Sequence, residues 1–182
     1  NRLQKYLHLY KIYFLQYHTY LVFGRYTDRS STEALFCARE TLNTKTYSLF
    51  AFGTSVASGV YRTDWNNSQL ETSFIPASNT KYNIQFSKGA FVINNTTNKI
   101  SDTSDFTAGG KLLIFGSYTN GNYTNISNFG KFKLYGFKIY EKDTLMHNFV
   151  PCKRDSDGAL GLFDLVSKTF YTNSGTGAFT SN

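Results

Sequence analysis

The stretch KFKLYGFKIY, residues 131–140, alternates along its length. Lys131, Lys133, Tyr135, Phe137 and Ile139 fall on one side of an extended chain, and Phe132, Leu134, Gly136, Lys138 and Tyr140 on the other. Successive side chains of a strand point to opposite faces, so a period of two predicts β-structure. Both sides carry apolar residues, which suits an inner strand of a packed sheet. The same period appears wherever any period can be read. TKYNIQFSKGAFVINNTT (80–97) predicts a strand, a turn at Ser87–Gly89 and a second strand through Phe91–Ile93. KTYSLFAFGTSVASGVYRTDW (45–65) predicts two strands around Gly53-Thr54-Ser55, and GKLLIFGSY (110–118) another. Helix signals are poor: STEALFCARE (31–40) offers an N-cap and Glu33 in a first turn, but its Leu35-Phe36 pair fits a strand equally well. Pro76 and Pro151 each follow a strand-like end. About a dozen short strands at spacings near ten residues imply a sandwich or a barrel.

Composition supports this reading. Aromatics make up 18% of the 182 residues, and the remainder is rich in Thr, Ser, Asn and Gly, a mixture that favours strands and turns. No linker, repeat or low-complexity run divides the chain, so residues 1–182 are read as one domain able to bury a full core. Charged residues are only 17% and the mean hydropathy is −0.35, so solubility rests largely on uncharged polar groups, as in many secreted and virion proteins. The net charge of +7 would permit a polyanion partner. Its distribution argues against nucleic acid, because the longest basic run is Lys153-Arg154 and the other cations lie along alternating faces. Two cysteines, Cys37 and Cys152, do not make a disulfide framework. No signal peptide is visible, and an opening on Asn1 instead of Met leads us to expect a fragment or processed product. YLHLYKIYFLQYHTYLVF (6–23) has the length of a membrane span, but His8, Lys11, Gln16 and His18 inside it would be costly in hydrocarbon. A buried or interfacial strand pair is expected there, with no membrane span.

The C-terminal text KLYGFKIYEKDTLMHNFVPCKRDSDGALGLFDLVSKTFYTNSGTGAF (133–179) resembles the closing signature of concanavalin A-like, LamG-type jelly-roll domains. These occur in gut Firmicutes surface proteins and prophage tail proteins. STEALFCAR resembles a strand of the same family, with Cys37 where glycine is usual, and KYNIQF with FVINNTT resembles its strand pair around a glycine turn. Residues 1–30 do not match the family's opening segment. The resemblance implies an all-β, two-sheet antiparallel jelly-roll β-sandwich on an extracellular, cell-surface or virion-tail protein. It also implies that Cys37 is a small core residue. Family members are mostly domains attached to larger proteins, so neighbouring domains are the expected partners. Fold alone does not give function.

The chemical motifs each have a plainer counterpart. Asp155-Ser156-Asp157-Gly158 is similar to the start of a calcium loop, but the twelfth position, where an EF-hand needs glutamate, is Val166. A polar turn accounts for it. Concanavalin A-like domains often carry calcium, so structural calcium at a rim stays open, and no other cofactor is expected. NSGTGAF (173–179) lacks the third glycine of a dinucleotide loop and the Lys-Ser/Thr of a Walker loop, and reads as a tight turn before Phe179. Glycoside hydrolysis needs two facing carboxylates. The chain's acids show no such pairing: Asp102 and Asp105 fall in a Ser/Thr-rich loop, and Asp155 and Asp157 in a turn. No G-x-S-x-G accompanies His8, His18 or His147, and no His/Cys spacing suits zinc.

Sugar recognition asks for an exposed aromatic platform beside amide and charged groups. YRTDWNNSQ (61–69) places the single tryptophan, Trp65, in an expected turn with Arg62, Asp64, Asn66 and Asn67. GSYTNGNYTN (116–125) offers Tyr118, Asn120, Asn122 and Tyr123 in a glycine-broken loop. Trp65 and Tyr118 would stack on sugar rings while Arg62, Asp64, Asn120 and Asn122 supply hydrogen bonds. The five Asn-x-Ser/Thr sequons, at Asn66, Asn94, Asn95, Asn122 and Asn125, are expected by chance in such a sequence. The expected function is a non-catalytic, glycan-binding display module. A purely structural packing domain is the alternative, and a glycoside hydrolase is the third reading.

Overall fold

The computed structural model describes residues 7–11, 17–25, 31–41, 44–51, 60–77, 79–108, 110–118, 125–174 and 178–181, the first two segments by backbone alone. Its strands, in chain order, begin with β1 (Leu7–Lys11), β2 (Tyr17–Arg25), β3 (Glu33–Ala38), β4 (Thr46–Ala51), β5 (Tyr61–Asn66) and β6 (Ser68–Glu71). There follow β7 (Lys81–Ser87), β8 (Ala90–Ile93), β9 (Thr96–Lys99), β10 (Lys111–Ile114), β11 (Ser117–Tyr118) and β12 (Ile126–Ser127). The last four are β13 (Phe132–Glu141), β14 (Thr144–Lys153), β15 (Leu160–Asp164) and β16 (Thr169–Thr172). A six-stranded sheet runs β1-β10-β3-β4-β5-β6 and an eight-stranded sheet β16-β15-β14-β13-β2-β7-β8-β9, with β11-β12 as a small ribbon. The pairings are antiparallel. The chain winds between the layers as a jelly roll does: β2 in the larger sheet, β3–β6 in the smaller, β7–β9 back in the larger, β10 across again. The chain is thus an all-β, two-sheet antiparallel sandwich, and no helix among the described residues is long and apolar enough to cross a membrane.

Aromatic side chains fill the space between the sheets. Phe86 of the larger sheet stacks on Tyr47 of the smaller one (centroids 4.9 Å apart, planes at 11°) and meets Trp65 edge-on at 5.6 Å. Phe36 reaches Phe137 at 5.7 Å, and Tyr61 meets Phe91 at 6.5 Å. These are the offset and edge-to-face geometries that aromatic pairs prefer, and every ring named is buried.

Two bulges decide which residues join this core. The β13–β2 register shifts between Leu134 and Gly136, so Tyr135 has no partner on β2 and the alternation changes phase after it. Phe132 and Leu134 before the shift and Phe137 and Ile139 after it all pack inward, leaving Lys133, Tyr135 and Lys138 exposed. The expected two-sided strand is therefore one-sided, because one extra residue flips the face on which the pattern continues. A second shift between Ala34 and Phe36 turns both Leu35 and Phe36 to the core, and STEALFCARE forms strand β3, not a helical turn. The expected strand pair within residues 6–23 is also corrected. β1 pairs with β10 and β2 with β13 and β7, so the two belong to different sheets.

The hairpin turns follow their sequences. Asn94 and Asn95, at φ 43° and 71°, make the two-residue left-handed turn between β8 and β9 that asparagine tolerates. In the Asp155–Gly158 turn, Gly158 sits at φ +73° and the Arg154 N–H donates to the Ala159 carbonyl at 2.8 Å. Arg154 grips Asp157 through Nε at 2.9 Å and through Nη2, and its guanidinium lies 4.7 Å from the Phe170 centroid. Gly161 is required by contact: a Cβ there would stand 2.2 Å from the Tyr171 carbonyl oxygen. Asp164, fully buried, accepts from the N–H groups of Asn148 (2.9 Å) and Val166 (3.1 Å) and from Ser167 Oγ (2.8 Å), and pairs with His147 Nδ1 at 2.7 Å. Burial pushes this carboxyl up, but the hydrogen bonds outweigh it and hold the pKa below the usual value.

Phe86→Ala should cost about 3–5 kcal/mol, read as a lower urea midpoint, since the cavity would open against four aromatic neighbours. The Arg154 hydrogen bonds lower Asp157 from 3.8 to about 2. The stability this pair contributes is therefore complete above pH 3.8 and lost as pH falls through about 2. Asp157→Asn should flatten that part of an acid-unfolding curve, and an unchanged acid limb would contradict the pairing.

Candidate functional site

The smaller sheet has a polar outer face. The bulge at Leu35 leaves Ala34 and Cys37 pointing away from the inter-sheet core, where they cluster with Phe50 and Val60. Register continues the row from Cys37 to Ser48 on β4, Asp64 on β5 and Gln69 on β6, and the next row runs from Ala34 through Phe50 and Arg62 to Glu71. Cross-strand neighbours on one face lie about 5 Å apart, so these residues form one contiguous surface.

Ser48 Oγ donates to Asp64 Oδ2 at 2.5 Å, and Arg62 Nε stands 3.5 Å from Asp64 Oδ1. The guanidiniums of Arg39 and Arg62 each lie 5.4 Å from the Phe50 centroid. Arg39 Nε donates to Cys37 Sγ at 3.1 Å, and the Tyr118 N–H bonds the same thiol. Tyr118 closes the cluster through its hydroxyl, which accepts from the Arg39 N–H and donates to the Lys111 carbonyl, both at 2.9 Å.

Burial pushes the Asp64 carboxyl above its ordinary value against the pull of Arg62, the Ser48 hydroxyl and Arg39. Burial likewise pushes the Cys37 thiol up, despite Arg39 and the Tyr118 N–H. A protonated, inaccessible thiol is a poor nucleophile. Two guanidiniums, a carboxyl, a hydroxyl and an aromatic ring instead bond and stack on one another on one sheet face, with Arg62 the one that reaches solvent. Elsewhere, His147 and Ser167 both bond Asp164, an order in which no base activates the serine hydroxyl.

The expected site residues separate. YRTDWN is strand β5, not a turn, so alternation sends Arg62 and Asp64 to the outer face and Trp65 inward. Trp65 is 1% exposed, and its Nε1 donates to the Ser104 carbonyl at 3.0 Å, so it is a core residue and not a stacking platform. Asn66, at φ 54°, bonds Asp102 Oδ2 (3.0 Å) and Ser104 Oγ (2.9 Å), tying down a loop that Lys88 also holds through Asp105 at 2.8 Å. Tyr118 is fully buried, so it serves as a hydrogen-bonding post instead of a platform, yet it bonds Arg39, whose guanidinium shares the Phe50 ring with that of Arg62. Asn120, Asn122 and Tyr123 lie outside the described residues, as do Gly175 and Gly177 of the expected final turn. Arg39, Ser48 and Phe50 went unrecognised in the sequence. Their signal was a polar or charged residue interleaved with the core positions of β3 and β4.

No protein-family model and no curated protein sequence matches the chain. Among solved structures, the chain is similar to a candidate carbohydrate-binding protein from Bacteroides ovatus, with a TM-score of 0.65 at 8% identity over 95% of this chain. The chain spans 59% of the length of that protein. It is also similar, at a TM-score of 0.49 and 9% identity, to the CBM40 module of a Ruminococcus gnavus IT-sialidase bound to α2,3-sialyllactose, covering 80% of this chain and 81% of that one. The Bacteroides likeness is one of fold, and it agrees with the two-sheet sandwich built above.

Cys37 and Cys152 are free thiols, the first buried and the second half-buried. Ellman's reagent should titrate one thiol in the native protein and two after denaturation; two in the native state would contradict the packing around Cys37.

Proposed function

We propose that the domain is a non-catalytic carbohydrate-binding module of a bacterial surface or phage tail protein. Arg62 and Asp64 would bind sugar hydroxyls, and Asn120, Asn122 and Tyr123 are kept from the sequence as further candidate contacts. The observation that carries this reading is the clustering of Arg39, Arg62, Asp64, Ser48 and Phe50 on one sheet face. The Bacteroides protein's description as carbohydrate-binding supports it, and the partial span of that protein suits a module with neighbouring domains.

One observation favours a second reading, a purely structural packing domain. Arg39, Ser48, Phe50 and Asp64 are each at most 3% exposed, and among the cluster Arg62 reaches solvent most, at 21% of its side chain. Such a cluster could serve only to fix the sheet.

Calorimetric titration against a panel of polysaccharides separates the two. Binding that falls about tenfold or more in Arg62→Ala, measured below the variant's own melting temperature, is expected from a lost charge-assisted hydrogen bond. Absence of binding across the panel, or unaltered affinity in the variant, would favour the structural reading.

A further inference from the structure

We propose that the outer face of the eight-stranded sheet is a second binding surface, centred on Tyr135 and suited to an anionic polysaccharide. It does not depend on the Arg62–Asp64 face. The bulge in β13 leaves one residue without a partner on β2, and that residue is Tyr135, which is 42% exposed. Lys81 Nζ stands 4.7 Å and Lys133 Nζ 5.6 Å from its ring centroid. The residue paired between the two lysines on β2 is Gly24, which has no side chain, so the Tyr135 ring can lie close to both ammoniums. Two strand spacings separate the lysine backbones, ~9.5 Å.

Charge selects the occupant. Exposed Lys45 and half-buried Lys88 are each paired, with Glu40 and Asp105. Among the described residues, Lys81, Lys133 and Lys138 contact no carboxylate. The outward positions of β7, β8 and β13 carry no Asp or Glu, and the β2 sequence contains none. A ring held by two unneutralised ammoniums gains most from an anion, while its face accepts the apolar side of a sugar. Asn83, exposed, and Gln85, half-buried, lie on β7 beyond Lys81 and can meet hydroxyls. Tyr135 with lysine ammoniums beside it, in place of arginine forks, suits a sugar polymer better than a nucleic acid.

The test measures binding of the intact chain to polygalacturonate, dextran sulfate, neutral dextran and duplex DNA at low and physiological salt. Binding to a carboxylated or sulfated polymer, weakened by salt and absent for dextran, is expected. Tyr135→Ala and Lys81→Ala combined with Lys133→Ala should each lower that affinity by about tenfold or more, while Lys45→Ala, at an exposed lysine paired with Glu40, leaves it unchanged. Circular dichroism checks that these exposed substitutions keep the fold, and Tyr135→Phe should retain binding. Equal binding to dextran, binding to DNA alone, no binding to any polymer, or indifference to Tyr135→Ala would each overturn the proposal. A response to Arg62→Ala alone would place any acidic-polymer binding on the other sheet.

Discussion

Phe86 sits where the two sheets must meet. It stacks on Tyr47, takes Trp65 edge-on, touches Phe36 and lies beside Phe91 in its own hairpin. A sandwich whose layers share no backbone hydrogen bonds is held by the side chains between them, and here those are mainly rings. Their size fixes the separation of the sheets and hence which strand positions are inside. Every outer-face residue discussed above is where it is because its neighbour in sequence is in this layer.

The bulges are the points at which that sorting changes sign. At Leu35 the shift adds a second apolar residue to the core and leaves Cys37 on the polar side, next to Arg39. At Tyr135 the shift gathers Phe132, Leu134, Phe137 and Ile139 on one side and frees an aromatic ring for solvent. Both binding surfaces proposed for the molecule therefore begin at an irregularity in an otherwise regular ladder.

Much of the architecture was legible because period-two patterns survive wherever strands are regular. The Ser87–Gly89 turn and the strands on either side of it lie as the sequence implied. So do the two strands of residues 45–65, and the Asp155–Gly158 turn is a turn in the structure. The C-terminal residues of the family resemblance have structural work to do: Asp164 caps the β15–β16 turn with four hydrogen bonds, and Gly161 lets β16 approach. What was not legible depended on register. A bulge has no letter of its own, so the crossing of Phe137 and Ile139 to the face opposite Lys133 and Tyr135 could not be read. YRTDWNN looked like a turn because of its polar residues, which concealed a strand with Arg62 and Asp64 on one side and Trp65 on the other. The partners of Arg62 and Asp64 came from β3 and β4, distant in sequence, and only strand pairing brings them together.

Trp65 is the single tryptophan of the chain, which makes the sorting of β5 directly observable. With its ring 1% exposed among Tyr47, Phe86 and Phe106, its fluorescence should be blue-shifted, resist acrylamide quenching, and stay unchanged when a glycan binds. A red-shifted emission readily quenched by acrylamide, or quenched on adding glycan, would place Trp65 at the surface and contradict the account of both the core and the site.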